Sequence, residues 1–115
     1  MEGCWQLSTV YDVRDIRTGA ITKFRHWQIC FDRDGKGREV MRATNGTRCE
    51  GTLTGQLSSG KLTMHEPGNL RCDNNSYIYR RDITCSLDAA GRAQCNTYQP
   101  ETRGRGRATL RRARR

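Results

Sequence analysis

Six cysteines give this chain its clearest chemical signal. No two of them form a Cys-x-x-Cys pair, and only two histidines, His26 and His65, are present to complete a set of metal ligands. Structural zinc sites usually take two of their ligands from positions close together in sequence. We therefore predict three disulfide bonds, with free buried thiols or a zinc site as the alternatives, and we expect no cofactor. The cysteines are Cys4, Cys30, Cys49, Cys72, Cys85 and Cys95.

One disulfide follows from the residue pattern. The segment from Tyr77 to Tyr98 alternates polar and apolar residues around Ala89–Gly91, which suits a three-residue hairpin turn with glycine in the left-handed conformation. The register of that hairpin places Cys85 opposite Cys95, where the side chains of neighbouring strands meet. We therefore predict a bond between these two cysteines.

The other four cysteines are not assigned by an equally clear hairpin. They allow three pairings. We favour a bond from Cys49 to Cys30 or to Cys72, and the choice between these two stays open.

Disulfides also indicate where a protein works. The cytosol keeps thiols reduced, so three disulfides predict a periplasmic or secreted location. No stretch of the sequence is long and apolar enough to span a bilayer, and no signal-peptide pattern opens it. We expect a mature region or an excised domain that is a monomer or part of a larger chain.

The cysteines are predicted to lie on or beside β-strands. Turn-forming residues recur at short intervals, and between them polar and apolar residues alternate, as Trp27, Ile29 and Phe31 do on one side of a run. A helix would need apolar residues three and four positions apart, and few windows have them. We predict an all-β fold, a small antiparallel meander barrel of about eight strands or a related sandwich, held by disulfides.

Length and composition set the domain organisation. A chain of 115 residues supports one core, and a hydrophobic content of 34% makes that core thin. We assign residues 1–102 to a disulfide-bonded β domain. Residues 103–115 are predicted to form an arginine-rich closing strand, a flexible basic tail, or a strand with a frayed end.

The net charge of +9 is concentrated at the end of the chain. Residues 103–115 hold seven arginines and no acid, so the rest carries 14 basic and 12 acidic residues. This count places the basicity on the terminal segment rather than on a continuous binding face. Guanidinium groups fit phosphate, carboxylate and sulfate oxygens, so we expect an anionic partner, unless the segment only solubilises the protein or contacts a neighbouring domain. The candidate anion-binding residues are Arg103, Arg105, Arg107, Arg111, Arg112, Arg114 and Arg115.

Three motif-like segments are better explained as turns. Residues 32–37 carry acids at the first and third positions of a calcium loop, but Lys36 and Ala43 occupy positions that need oxygen ligands. Asn45 and Asn74 match the glycosylation acceptor pattern, which often occurs by chance. We predict exposed turns at all three places.

No set of residues has the spacing of a catalytic site. Neither histidine lies in a recognisable nucleophile motif, and the carboxylates Glu39, Glu66 and Asp82 are scattered without a spacing that forces two of them together. A hydrolase would need a pocket that joins a histidine to a carboxylate. We predict that both histidines are structural or surface residues and that the protein is not an enzyme.

Gly3-Cys4-Trp5 resembles the Gly-x-Trp opening of lipocalins and of their small relatives, the calycin-like barrels. In those folds the tryptophan closes one end of the barrel, and an arginine from the last strand packs across it. The resemblance implies that Trp5 closes the barrel together with Arg112, or with Arg111 in a shifted register. It makes a lipocalin-like periplasmic or secreted bacterial domain the expected family.

The length and inferred topology also resemble the small periplasmic barrels that inhibit metalloproteases or lysozymes. From the residues, we expect a non-enzymatic extracytoplasmic binding module that contacts another protein or an anionic surface or glycan. The first alternative, which the resemblance implies, is a periplasmic inhibitor of a secreted hydrolase. The second is a nucleic-acid-binding protein that acts through the basic C-terminus, which the nearly neutral body does not favour.

Overall fold

The computed structural model describes residues 2–14 and 18–113 of the chain. These ranges contain eleven β-strands and no helix. The strands are β1 Gly3–Leu7, β2 Tyr11–Arg14, β3 Ile21–Phe31, β4 Lys36–Ala43, β5 Arg48–Ser58, β6 Lys61–His65, β7 Leu70–Cys72, β8 Tyr77–Ile78, β9 Asp82–Leu87, β10 Ala93–Gln99 and β11 Gly104–Ala113.

Eight of these strands close into an antiparallel barrel. Their order around the barrel is β3, β1, β11, β10, β9, β6, β5 and β4, and the pairing of β4 with β3 completes the ring. At one end, β2 pairs with the first residues of β3, and the β7–β8 hairpin pairs with the start of β5. The predicted all-β, disulfide-stapled antiparallel barrel is thereby confirmed. We call the end with β2, β7 and β8 the mouth and the end with Trp5 the closed end.

Each disulfide joins two residues that lie directly opposite each other on neighbouring strands. The pairs are Cys4–Cys30, Cys49–Cys72 and Cys85–Cys95. In all three the Cα atoms are 4.0 Å apart, the close approach of an antiparallel pair whose side chains come nearest. The predicted Cys85–Cys95 bond is confirmed. Of the two partners favoured for Cys49, the structure has Cys72.

The hairpin predicted from Tyr77 to Tyr98 is shorter than expected. Its first arm begins at Asp82, and from there β9 pairs with β10 in the predicted register. Tyr77 belongs to β8, which pairs with β7 instead. The arm is interrupted at Arg81, whose side chain enters the barrel while its carbonyl oxygen accepts a hydrogen bond from the backbone N–H of Glu66.

The segment that resembles a calcium loop is the hairpin turn between β3 and β4, as predicted. Asp32 Oδ1 accepts hydrogen bonds from the backbone N–H groups of Asp34 and Lys36, at 2.8 and 3.0 Å. Gly35 has a φ of 81°, and a Cβ at this position would lie 2.4 Å from the carbonyl oxygen of Gly55. Only glycine fits this turn.

The barrel interior mixes apolar and charged side chains. Trp27, Ile29 and Phe31 all point inward, as their alternation predicts. The largest fully buried apolar side chains are Trp5, Trp27, Ile29, Met41, Leu53, Leu62, Leu70, Ile83 and Leu110. Two glutamates and an arginine are buried among them. Because apolar burial is limited, the disulfides supply much of the constraint that a larger core would give.

Trp5 and Arg112 meet at the closed end. They lie opposite each other in the pairing of β1 with β11, and the Arg112 guanidinium carbon is 4.5 Å from the centroid of the Trp5 ring. This is the contact that the lipocalin resemblance implies, in the unshifted register. The contact concerns two residues, and lipocalin-like membership stays a prediction.

Replacing Cys85 and Cys95 together by alanine tests the contribution of the buried disulfide. Without the cross-link the unfolded chain gains conformational freedom, so we expect the free energy of unfolding to fall by about 2–4 kcal/mol. Urea denaturation followed by tryptophan fluorescence measures the loss. Intact mass after alkylation is the control: the native wild type should take no label, and the reduced protein should take six groups. Labelling of the native wild type would contradict the disulfide assignment.

Candidate functional site

Closure of the barrel places the arginine-rich strand β11 between β1 and β10. Ala108 and Leu110 of β11 are buried, so the alternating side chains of Arg107 and Arg111 point outward. Arg111 pairs with Gln6 of β1. The residues from 104 to 113 are therefore a wall of the barrel rather than a loose tail.

A row of side chains crosses the outer surface of four neighbouring strands. Val40 of β4 faces Gln28 of β3, which faces Gln6 of β1, which in turn faces Arg111 of β11. With its amide oxygen turned toward the guanidinium, Gln6 accepts hydrogen bonds from Arg111 Nε and Nη2, at 3.1 and 2.6 Å. Adjacent strands lie about 4.8 Å apart, so the row spans roughly 15 Å. Arg111 is thus held on the same outer surface as the side chains of β3 and β4.

These four strands form a strongly basic half of the barrel. Together β1, β3, β4 and β11 hold nine lysines and arginines, and their one acidic residue, Glu39, is buried inside. The other half, made of β5, β6, β9 and β10, holds two basic and two acidic residues. The charge of the protein is therefore asymmetric across the barrel.

We call the outer surface that carries Arg38, Arg42, Arg107 and Arg111 the basic face. All four side chains are exposed. Within the described ranges, none of them lies within 4 Å of a carboxylate oxygen. Four guanidinium groups on one rigid surface are therefore available to contact an anion.

The structure adds residues of the body to the basicity that the sequence analysis assigns to the chain end. The charge count is correct, but some of the acids that balance the body do not reach the basic surface. Glu39 and Glu66 are buried, and Asp88 accepts hydrogen bonds from the backbone N–H groups of its own turn. Barrel closure then brings the terminal arginines to the same half as Arg38 and Arg42.

Arg38 and Arg42 are the residues of this face that the sequence reasoning missed. The signal for them is the alternation within β4, where Lys36, Arg38, Val40 and Arg42 occupy one side and their buried neighbours the other. Alternation of this kind assigns the outward side of a strand. Alternation within one strand does not predict which other strands lie beside it in the barrel.

The candidate arginines of the terminal segment are distributed over several places. Arg107 and Arg111 lie on the basic face. Arg105 is exposed, and its guanidinium carbon lies 4.9 Å from the ring centroid of Tyr98 on β10. Arg105 therefore stacks on a strand of the other half of the barrel, which holds equal numbers of basic and acidic residues.

The remaining candidates lie elsewhere. Arg112 covers Trp5 at the closed end. Arg103 is in the turn before β11 at the mouth, with a φ of 59°. The predictions for Arg114 and Arg115 fall outside the described residues.

A buried ion cluster lies inside the barrel. Arg81 Nε and Nη2 donate to the two carboxylate oxygens of Glu66 at 2.9 and 2.7 Å, and Nη2 also donates to Glu39 Oε1 at 3.3 Å. Trp27 Nε1 donates to the same Glu39 oxygen at 3.0 Å. The Arg81 guanidinium carbon lies 4.6 Å from the Trp27 ring centroid and 5.6 Å from that of Tyr11. The sequence spacing does not predict that Glu39 and Glu66 meet, but Arg81 contacts both in the folded chain.

Protonation of Glu39 would make this cluster electrically neutral. Burial and the neighbouring carboxylate of Glu66 raise the pKa of Glu39 well above its ordinary value. Burial opposes the charge of Arg81, but contact with Glu66 holds the pKa of Arg81 above its ordinary value. A protonated Glu39 leaves one cation and one carboxylate, which avoids the high cost of an uncompensated buried charge.

The outer surface also holds a histidine–carboxylate pair. His65 Nδ1 lies 2.6 Å from Asp82 Oδ1, across the pairing of β6 with β9. Both side chains are about half exposed, at 54% and 51%, and Thr54 faces His65 from β5. In the described part of the chain no hydrogen bond joins Thr54 to His65. Thr54, His65 and Asp82 are residue types used in acyl transfer. The hydroxyl-to-histidine contact that would activate Thr54 as a nucleophile is not among the hydrogen bonds of the described residues.

Within residues 2–14 and 18–113, no three His, Cys, Asp or Glu side chains come together as metal ligands. The same ranges contain no helix that could serve as a transmembrane span. Comparisons of the chain with protein-family models, with curated proteins and with solved structures find no match. The function is therefore inferred from the side chains themselves.

We expect Glu39→Gln to flatten the pH dependence of stability. Because the pKa of Glu39 is raised in the folded protein, its stabilising contribution is complete in acid and is lost as the pH rises from the ordinary carboxyl pKa toward the raised value. In that window the wild type should lose up to about 1.4 kcal/mol of unfolding free energy per pH unit. Glutamine keeps an acceptor for Trp27 and a donor for Glu66 but does not titrate.

Urea denaturation between about pH 5 and 8 measures this difference. Glu50→Gln is the matched control, because Glu50 is partly exposed and pairs with Arg48 on the outer surface. The control should keep the wild-type slope. Equal slopes for the wild type and Glu39→Gln would contradict the assignment of the raised pKa to the cluster.

Proposed function

We propose that this protein is a non-enzymatic module that binds an anionic partner through the basic face. The observation that carries the proposal is the charge division of the barrel, in which β1, β3, β4 and β11 hold nine cations and bury their one acid, and four of these cations form the basic face. A surface with this charge attracts polyanions over several ångströms and raises their rate of encounter. Its guanidinium groups then fit sulfate, phosphate or carboxylate oxygens.

The rigidity of the face supports binding rather than mere solubility. A disordered basic tail loses conformational entropy when it binds, whereas side chains on paired strands start from a fixed backbone. Gln6 further restricts Arg111 through two hydrogen bonds. The partner that fits best is an extended anionic polymer or surface with repeated charged groups.

The three disulfides are typical of proteins that work outside the reducing cytosol. We therefore propose a periplasmic or secreted location for the module. An acidic glycan or an anionic cell surface is the partner expected in such a compartment.

Nucleic acid is the second candidate partner. The observation that favours it is the same basic face, since guanidinium groups bind phosphates as readily as sulfates. On this alternative the contacts extend over β3, β4 and β11, whereas the sequence alone assigns them to the C-terminal segment. A comparison of a sulfated glycan with duplex DNA separates the two.

Neutralising the basic face should abolish most of the binding. We expect the variant with Arg38, Arg42, Arg107 and Arg111 changed to glutamine to bind heparin at least about tenfold more weakly than the wild type at low salt, because each lost cation removes a counterion-releasing contact. Isothermal titration calorimetry at several salt concentrations measures the affinity. The dependence of log affinity on log salt concentration should become shallower in the variant.

A matched variant removes the same number of charges elsewhere. Its substitutions are Lys61→Gln, Arg71→Gln, Arg80→Gln and Arg92→Gln, all outside the basic face. It should retain nearly wild-type affinity. Equal losses of affinity in both variants would mean that binding depends on net charge rather than on the basic face. Absence of heparin binding by the wild type would reject a sulfated glycan as the partner. Tighter binding to duplex DNA than to heparin at the same salt would favour the nucleic-acid alternative.

A further inference from the structure

The mouth of the barrel holds a cavity of about 410 Å³. It lies at the end opposite Trp5, between β2 and β3 on one side and the β7–β8 hairpin on the other. Ligand sites of single-domain proteins commonly lie in barrel mouths and have volumes of roughly 300–1,000 Å³. None of the four arginines that define the basic face lines this cavity.

The cavity wall combines one exposed aromatic ring with buried apolar groups. Phe24 and Ile78 are buried and Val13 is half-buried, whereas Tyr77 is 53% exposed. The Tyr77 and Tyr79 rings are perpendicular, with centroids 5.1 Å apart, and the Tyr77 hydroxyl lies 3.3 Å from that of Tyr79. A large aromatic ring left half exposed at a cavity is an apolar platform with a polar edge.

Carboxamide groups supply the polar part of the wall. Asn45 and Asn74 each use the side-chain oxygen to accept a hydrogen bond from the backbone N–H two residues later, at 3.0 and 3.1 Å. Both lie in exposed turns, as the sequence predicts. This contact fixes each carboxamide while its NH₂ group can still donate. Asn75 and Gln99 also line the cavity and bring further carboxamides.

The β7–β8 side of the cavity is anchored covalently. The Cys49–Cys72 disulfide lines the cavity and ties β7 to β5. Among the described residues that line the cavity, Arg14 is the one charged residue, and none is acidic. The site is therefore rigid on one side, rich in hydrogen-bonding groups, and positively charged.

We propose that this cavity binds a mono- or disaccharide and prefers an acidic sugar over its neutral counterpart. A sugar ring has apolar C–H faces that pack on an aromatic ring and hydroxyl groups that exchange hydrogen bonds with carboxamides. Tyr77 provides the ring, Asn45 and Asn74 provide the carboxamides, and Arg14 pairs with a sugar carboxylate. A fatty-acid or lipid tail would need a continuous apolar lining, whereas carboxamides interrupt the apolar part of this wall.

Nuclear magnetic resonance titration of the ¹⁵N-labelled full chain tests the proposal with D-glucuronate, D-glucose and acetate as probes. Saturable shifts of the backbone amides of residues 45–47 and 74–79 are expected with glucuronate, and weaker shifts of the same amides with glucose. Affinities of single sugar units are expected in the millimolar range. Acetate should leave these amides unchanged. The proposal fails if neither sugar moves them or if acetate moves them as far as glucuronate does.

Three variants assign the roles of the side chains. Tyr77→Ala should remove the shifts caused by both sugars, and Tyr77→Phe, which keeps the ring, should restore them. Arg14→Gln should weaken glucuronate binding by about tenfold and leave glucose binding unchanged. Tyr98→Ala is the control, because Tyr98 lies on the outer surface under Arg105 and away from the cavity. Undiminished glucose shifts in Tyr77→Ala would overturn the proposal.

The variant with the basic face neutralised separates this inference from the proposed function. It should lose heparin affinity and keep the glucuronate-induced shifts at the mouth. Loss of those shifts in this variant would assign sugar binding to the basic face and would overturn the cavity proposal. The two results are independent, because the cavity and the basic face share no residue.

Discussion

The pairing of the first strand with the last closes the barrel and sets where its charged and aromatic side chains meet. β1 is only five residues long, yet it bridges β3 and β11 and so closes the ring. Closure joins Trp5 to Arg112, forms the enclosed volume that holds the core, and moves the terminal arginines to the same half of the barrel as β3 and β4. Without it, the basic residues of the body and of the C-terminal segment would be two separate groups.

The thin core explains why covalent and ionic contacts are placed where they are. Two disulfides lie between strands of the barrel, and the third ties the β7–β8 hairpin to it. The ion cluster of Glu39, Glu66 and Arg81 fills interior space that a larger chain would fill with apolar groups. A buried ion cluster adds little net stability. It tolerates few alternative arrangements, however, because removing one member leaves an uncompensated charge inside the protein. The cluster therefore specifies how β3, β4 and the segments before β9 and after β6 fit together.

Much of the fold follows from the sequence, because alternation and turn residues act over short distances. The strand character of the chain, the inward side of β3, the turn after Asp32 and the Cys85–Cys95 bond all depend on residues fewer than a dozen positions apart. The contact of Trp5 with Arg112 is long-range, and only the family resemblance implied it. Alternation and turn residues do not predict other contacts between residues that are distant in sequence.

The features that the sequence does not reveal are those that depend on the closed ring. Glu39, Glu66 and Arg81 are distant in sequence, and Glu66 and Arg81 lie just outside their strands, where alternation has no meaning. The basic face is hidden for the same reason, since charge counting treats buried and exposed acids alike. Arg38 and Arg42 are visible as outward residues of one strand, but their proximity to β11 requires the strand order.

In the described part of the chain the sheet ends in two strands, β2 and β8, and both lie at the mouth. They are four and two residues long, so each offers few unpaired backbone groups. Long exposed edges are templates on which further chains add strands and aggregate, and short ones are a common protection against this. The short lengths of β2 and β8 therefore leave little edge on which a second copy of the chain could add a strand.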